Sequence, residues 1–184
     1  YTNFDCNLRC PYCVTESTPD APQQALGLET VRRLVDEGIG LGFQDLFFTG
    51  GEPFLLGDIY AMLGYAAARA RTTVLTNGLL LRGRRLDRLA EVSSENLRVQ
   101  VSLDGARPEH HDPYRGEGTW AKTVGAIQRL QERSIPVCIS TTETPANTAH
   151  IEELHAFRRD LGIADGAHLV RPLARRGFSS EGPA

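Results

Sequence analysis

Short β-branched or aromatic runs alternate with longer amphipathic runs from one end of the chain to the other. The clearest strand is Leu97 to Leu103: Leu97, Val99, Val101 and Leu103 alternate with Arg98, Gln100 and Ser102, the period of two that sends neighbouring side chains to opposite faces of a sheet. Tyr1 to Asp5, Asp45 to Thr49, Thr73 to Thr76, Pro136 to Thr141 and Ala167 to Arg171 read as further strands on composition, being too short for periodicity to decide. Helical spacing joins Leu28, Val31, Leu34 and Val35, then Ile59, Met62, Leu63 and Ala66, then Leu86, Leu89 and Ala90. Trp120, Val124, Ile127 and Leu130 mark a fourth helix, and Ile151, Leu154, Phe157 and Leu161 a fifth. Gly38 and Gly162 stand just past two of these stripes, where a helix C-cap belongs. Repeated strand–helix units force parallel strands with helices outside, so the pattern predicts either a doubly wound sheet or an incomplete barrel.

The chain has 184 residues, 41% hydrophobic and 23% charged, with a formal net charge of −3. This is the composition of a globular protein with room for a core. A near-balanced charge calls for no nucleic-acid partner, and no apolar run reaches the roughly 18 residues of a membrane span. With no signal-peptide pattern at its start, the chain is expected in the cytoplasm. Tyr occupies position 1 and Met occurs once, so the sequence reads as a piece of a longer chain, cut close to its first strand. Residues 1–171 are expected to form one domain. Residues 172–184, including Arg175, Arg176, Ser180 and Pro183, lose periodicity and read as a tail or the start of a connection to a further C-terminal domain. Nothing in the sequence fixes an oligomeric state.

Chemistry concentrates after the first strand. Cys6, Cys10 and Cys13 lie within eight residues, whereas Cys138 stands apart in a strand, where a buried thiol acts as a small hydrophobe. Three thiolates so close must share a soft cation, be oxidised, or carry a raised pKa. A structural zinc site would need a fourth ligand; no second Cys pair follows, and His110 and His111 are adjacent, which suits one tetrahedron poorly. A [4Fe-4S] cluster held by three thiolates, with one iron open to a small molecule, fits the spacing. Zinc with a distant ligand, or redox-active thiols, remain alternatives on spacing alone.

The motif Cys6-x3-Cys10-x2-Cys13, with Tyr12 before the third cysteine, resembles the signature of the radical S-adenosylmethionine (radical SAM) enzymes. Gly50-Gly51-Glu52-Pro53, Thr76-Asn77-Gly78 and Ser102-Leu103-Asp104-Gly105 follow successive strands in the same order. His111-Asp112-Pro113-Tyr114-Arg115-Gly116, with Gly118 and Trp120, is similar to the subgroup whose members usually carry a C-terminal SPASM or twitch domain.

The resemblance implies a partial (β/α)6 barrel of parallel strands with the site at their carboxyl ends. It implies a [4Fe-4S] cluster on Cys6, Cys10 and Cys13, and S-adenosylmethionine contacted by Tyr12, Gly50, Gly51, Glu52, Asn77, Ser102 and Arg115. In this reading the Gly50–Glu52 loop meets the cofactor ammonium and Ser102 its ribose or carboxylate. Arg115 forks onto the methionyl carboxylate, and Tyr12 packs beside adenine. It further implies reductive cleavage of the cofactor with an electron donor such as flavodoxin or ferredoxin, and hydrogen abstraction from a peptide or protein side chain. A haem precursor or other small molecule is the alternative substrate, and a non-catalytic iron–sulfur module the alternative class.

Other residues have plainer expectations. Gly-Gly-Glu-Pro, Asn77-Gly78 and Asp104-Gly105 are also common turn sequences. His111 and Asp112 read as structural, Trp120 as core, and His150, His155 and His168 as surface or satisfied histidines. Asn147 reads as an N-cap or loop residue lining the cleft, and Arg171-Pro172 as a segment that can close over adenine. No residue identifies itself as a substrate acid or base.

Overall fold

A computed structural model describes residues 1–179. Ser180 and Pro183 of the expected tail lie outside the described residues. Strands β1 (Asp45–Phe48), β2 (Arg71–Thr76), β3 (Leu97–Ser102), β4 (Val137–Glu143) and β5 (His168–Pro172) form one sheet in sequence order, every neighbouring pair parallel. The sheet curls into an open half-barrel, the partial parallel barrel that the sequence predicts. Helices α1 (Leu28–Gly40), α2 (Ile59–Ala67), α3 (Arg84–Glu91), α4 (Pro108–Arg115), α5 (Thr119–Glu132) and α6 (Ile151–Asp160) fill the crossovers.

The alternation of β3 shows how the two faces differ. Leu97, Val99, Val101 and Leu103 are fully buried and share a core with Leu86, Leu89, Ile127 and Leu130 of the helices. Gln100 and Ser102 point the other way, into the concave face. Register then sets Gln100 beside Cys138, Ser102 beside Ser140, and Thr142 beside Arg171. The inner wall is therefore polar where its strands end. Cys138 is free and buried, as expected, and burial raises its pKa.

Two elements depart from the sequence expectation. Tyr1 to Asp5 is extended but joins no strand of the sheet; it makes isolated bridges from Asn3 to Ala25 and from Asp5 to Thr18. Its backbone is bonded on two sides: the Thr2 amide donates to Thr49 O and the Gly51 and Glu52 amides donate to Asn3 O and Asp5 O, while the Phe4 amide donates to Gln24 O and Thr2 O accepts from the Leu26 amide. Second, the stretch from Asp104 to Gly118, to which the sequence pattern assigns no helix, contains α4. That helix is polar and carries Pro113 inside it, so no apolar stripe announces it, although Pro108 sits in its first turn, where its missing N–H costs nothing. Among the described residues no helix is long and apolar enough to cross a membrane.

Candidate functional site

A cavity of about 330 Å³ opens at the carboxyl ends of the strands. It is lined by Cys6, Cys10, Tyr12, Cys13, Gly50, Gly51, Glu52, Asn77, Ser102 and Arg115, which brings together every site residue expected from the sequence. Arg171 and Pro172 also line it. Its size falls within the range of small-molecule sites.

The cysteine loop is fastened from three sides. Ser17 N and Thr15 Oγ1 lie 3.4 and 3.2 Å from Cys13 Sγ, and the Cys13 amide donates to Cys10 O. Asn77 Nδ2 donates to Asn7 Oδ1 at 2.7 Å and lies 4.0 Å from Cys6 Sγ, tying β2 to the loop. Burial pushes the Cys6 thiol up to about 12 and raises Cys10 as well, against the pull of Arg115. Such thiols ionise only with a cationic partner. Three thiols on one short loop at the cavity wall suit a multi-iron cluster with one iron left open to a small molecule.

Gly50 and Gly51 have a different local reason from the one the sequence suggests. A Cβ on Gly50 would stand 2.3 Å from Asn3 O, and one on Gly51 1.9 Å from Asp5 O. The glycines admit the backbone that leads into Cys6. Glu52 is wholly buried: Oε1 accepts from Phe54 N and Thr76 Oγ1, Oε2 accepts from Asn77 N, and burial lifts its pKa to about 7. Its carboxylate thus joins the loop after β1 to the end of β2, while its edge faces the cavity.

Asp104, legible only as a turn residue, is the hub of the opposite wall. Its carboxylate, 1% exposed, accepts from Arg115 Nε at 2.5 Å, Tyr12 OH at 2.5 Å and Thr142 N at 2.9 Å. Burial opposes ionisation, but the Arg115 guanidinium and these donors hold its carboxyl below the usual carboxylate range. Its amide donates to His111 Nδ1, and Asn147 Nδ2 donates to its carbonyl. Asn147 is fully buried and does not line the cavity, because its amide is committed to Asp104 O, Thr142 O and Thr144 N. Among the described residues Arg115 bonds through Nε and Nη2, which leaves Nη1 without a protein partner on a side chain that lines the cavity. Tyr12 lies beneath that guanidinium, 5.5 Å from its ring centre. Asp112 is structural as expected, accepting from Gly118 N, Thr119 Oγ1 and Trp120 N. Gln100 and Ser140 also line the cavity; their strand faces become legible only once β3 and β4 are paired.

His111 gives the site a pH signature. Its Nδ1 accepts a backbone N–H, so the ring is neutral, and burial, with Arg115 nearby, lowers its pKa from 6.5 to about 4. The unfolded chain then binds more protons than the folded one between those values, and stability falls as pH drops from 6.5 towards 4, by up to about 3 kcal/mol for a shift of this size. Glu52 works in the opposite sense, its raised pKa favouring the folded state on acidification. The difference between wild type and His111→Asn, whose Oδ1 can take the Asp104 amide, isolates the histidine. Urea unfolding at pH 6.5 and 4.5 should show the variant losing less stability; equal losses would contradict this account.

An open parallel half-barrel whose strand ends carry a three-thiol loop and an anion-ready arginine is a cofactor-binding catalytic scaffold in form. The chain belongs to the radical SAM superfamily, whose family model matches residues 2–157. It is 31% identical over 179 residues to an AdoMet-dependent heme synthase of Methanosarcina barkeri, covering 96% of this chain and 51% of that protein. It is 31% identical over 159 residues to the antilisterial bacteriocin subtilosin biosynthesis protein AlbA of Bacillus subtilis, covering 85% of this chain and 35% of that one. Its fold superposes on Streptococcus suis SuiB bound to S-adenosylmethionine with a TM-score of 0.81 at 20% identity, over 95% of this chain and 40% of SuiB. The chain thus spans about half or less of the length of these relatives.

Proposed function

We propose that this chain is the radical-generating core of an enzyme that cleaves S-adenosylmethionine and modifies a peptide or protein side chain. The observation that carries the reading is the one cavity gathering Cys6, Cys10 and Cys13 with Glu52, Asn77, Ser102 and Arg115. A [4Fe-4S] cluster on the three thiolates and S-adenosylmethionine on its open iron would supply one-electron cleavage of the sulfonium and a 5′-deoxyadenosyl radical that takes hydrogen from substrate. The chain's own residues bind and orient. Arg115, held by Asp104, offers Nη1 to the methionyl carboxylate. The Ser102 hydroxyl, which has no protein partner among the described residues, would take the ribose or carboxylate. Carbonyls of the Gly50–Glu52 loop would take the ammonium, and Tyr12 orders the cluster loop beside adenine. The four free thiols accord with a reducing cytoplasm, where a flavodoxin or ferredoxin would donate the electron.

The peptide substrate is supported by likeness to the subtilosin biosynthesis protein. A haem-precursor substrate is the second reading, favoured by the heme synthase relative that covers 96% of this chain. The test begins with anaerobic reconstitution, which should give about four irons per chain. Dithionite and S-adenosylmethionine should then release 5′-deoxyadenosine, and deuterium should pass into that product from a labelled peptide rather than from a labelled haem precursor. A cluster that forms but never cleaves the cofactor would overturn the enzyme reading and leave an iron–sulfur binding module.

A further inference from the structure

Away from the cavity, three potential ligands meet where α4 approaches α6. His110 Nδ1 and His150 Nδ1 each lie 3.8 Å from Glu153 Oε2, and the ligand atoms of the three residues all fall within 4.8 Å of one another. These separations are too long for hydrogen bonds. His110 Nδ1 is buried without a partner among the described residues, a costly arrangement for a polar atom. The two imidazoles stack with centroids 3.9 Å apart and planes 12° from parallel. Face-to-face imidazoliums would repel, which disfavours the double ion pair with Glu153 as an explanation. Each ring places Nδ1 beside the same carboxylate oxygen.

We propose that His110, His150 and Glu153 form a site for one divalent transition-metal ion of the zinc type, with water completing its shell. Imidazole and carboxylate donors suit such ions. Bonds of 2.0 to 2.2 Å at tetrahedral angles set ligand atoms roughly 3.4 Å apart. The observed 3.8 Å gaps are close to that value, and binding turns one imidazole out of the stack, because an ion lies in the plane of each ring that ligates it. The other carboxylate oxygen, Oε1, is held by Arg107 Nε, as outer-shell partners commonly hold a ligating carboxylate. The charge of Arg107 also moderates cation affinity. The placement gives the ion a structural consequence. Helix α4 carries Arg115 and His111, and the segment before α6 carries Asn147; all three grip Asp104. An ion on His110, His150 and Glu153 clamps the outer ends of the two segments whose inner ends fix that hub.

The test uses the cluster-loaded protein, so that the cavity thiols are occupied, and titrates it anaerobically with Zn²⁺ in a calorimeter. Wild type should bind one equivalent saturably, reversed by EDTA, with a rise in thermal midpoint. His150→Ala, at a half-exposed position, and Glu153→Gln, which keeps an oxygen for Arg107, should each weaken binding by about tenfold or more. The iron content of both variants should match wild type. Absence of saturable binding in wild type, or wild-type affinity in both variants, overturns the site. Because the readout is zinc affinity, either result is independent of whether the chain cleaves S-adenosylmethionine.

Discussion

Replacing Cys10 by alanine is expected to leave a folded chain that retains no [4Fe-4S] cluster and releases no 5′-deoxyadenosine. Cys10 lies at the cavity wall close to Arg115 and Asp104, and its thiol, raised by burial, is a costly anion unless iron shares its charge. Without iron the buried thiol stays protonated, so alanine replaces a small neutral group and the fold should lose little stability. The cluster would keep two protein thiolates, too few to hold it against chelator or air. Product formation should fall by on the order of a thousandfold or more, since the radical has no other source. The checks are iron per chain, the brown absorption of the reconstituted protein, and 5′-deoxyadenosine by chromatography. Cys138→Ala is the control: that residue does not line the cavity, and its removal should leave all three readings unchanged. Equal loss of iron in both variants would show that the fourth cysteine had been misplaced.

Much of this was legible along the chain because it is encoded locally. The three thiols lie within one loop, and the glycine–glycine–glutamate, Thr-Asn-Gly and Ser-Leu-Asp-Gly segments each follow a strand, so a parallel topology alone delivers them to one end of the sheet. What stayed hidden depends on distant partners. Asp104 looks like half of a turn dipeptide, yet its carboxylate meets Tyr12, 92 positions earlier, and Thr142, 38 positions later. No spacing rule connects such residues. Gly50 and Gly51 are conspicuous in sequence, but the demand they answer, the backbone of Asn3 and Asp5 at contact distance, exists only after the chain has folded back. The segment Tyr1 to Asp5 is extended as its composition suggests. Its hydrogen bonds nevertheless go to the loop after β1, where Gly51 and Glu52 offer their amides, and to Gln24 and Leu26, rather than to a strand of the sheet. Helix α4 was concealed by polarity and an internal proline.

Asp104→Asn should separate two consequences of one buried contact. Arg115 and Asp104 are 9% and 1% exposed in their side chains, so the asparagine leaves a guanidinium in a poorly solvated place without its counter-charge. Breaking a buried pair from one side costs about 3–5 kcal/mol, and urea unfolding should register a loss of that order. The amide also turns a donor towards Tyr12 OH or Arg115 Nε, both of which donate to the carboxylate in wild type. Arg115 would then no longer be fixed at the cavity wall, and affinity for S-adenosylmethionine, measured by calorimetry on cluster-loaded protein, should fall by about tenfold to a hundredfold. The double variant Asp104→Leu with Arg115→Met distinguishes the effects. Removing both charges takes away the unpaired guanidinium, so stability should recover part of what Asp104→Asn loses, whereas cofactor affinity should not recover, because the group proposed to meet the methionyl carboxylate is gone. Recovery of both would make the pair merely architectural. Loss of stability in the double variant equal to that in Asp104→Asn would show that packing around Tyr12 and Thr142, rather than charge, is what Asp104 supplies.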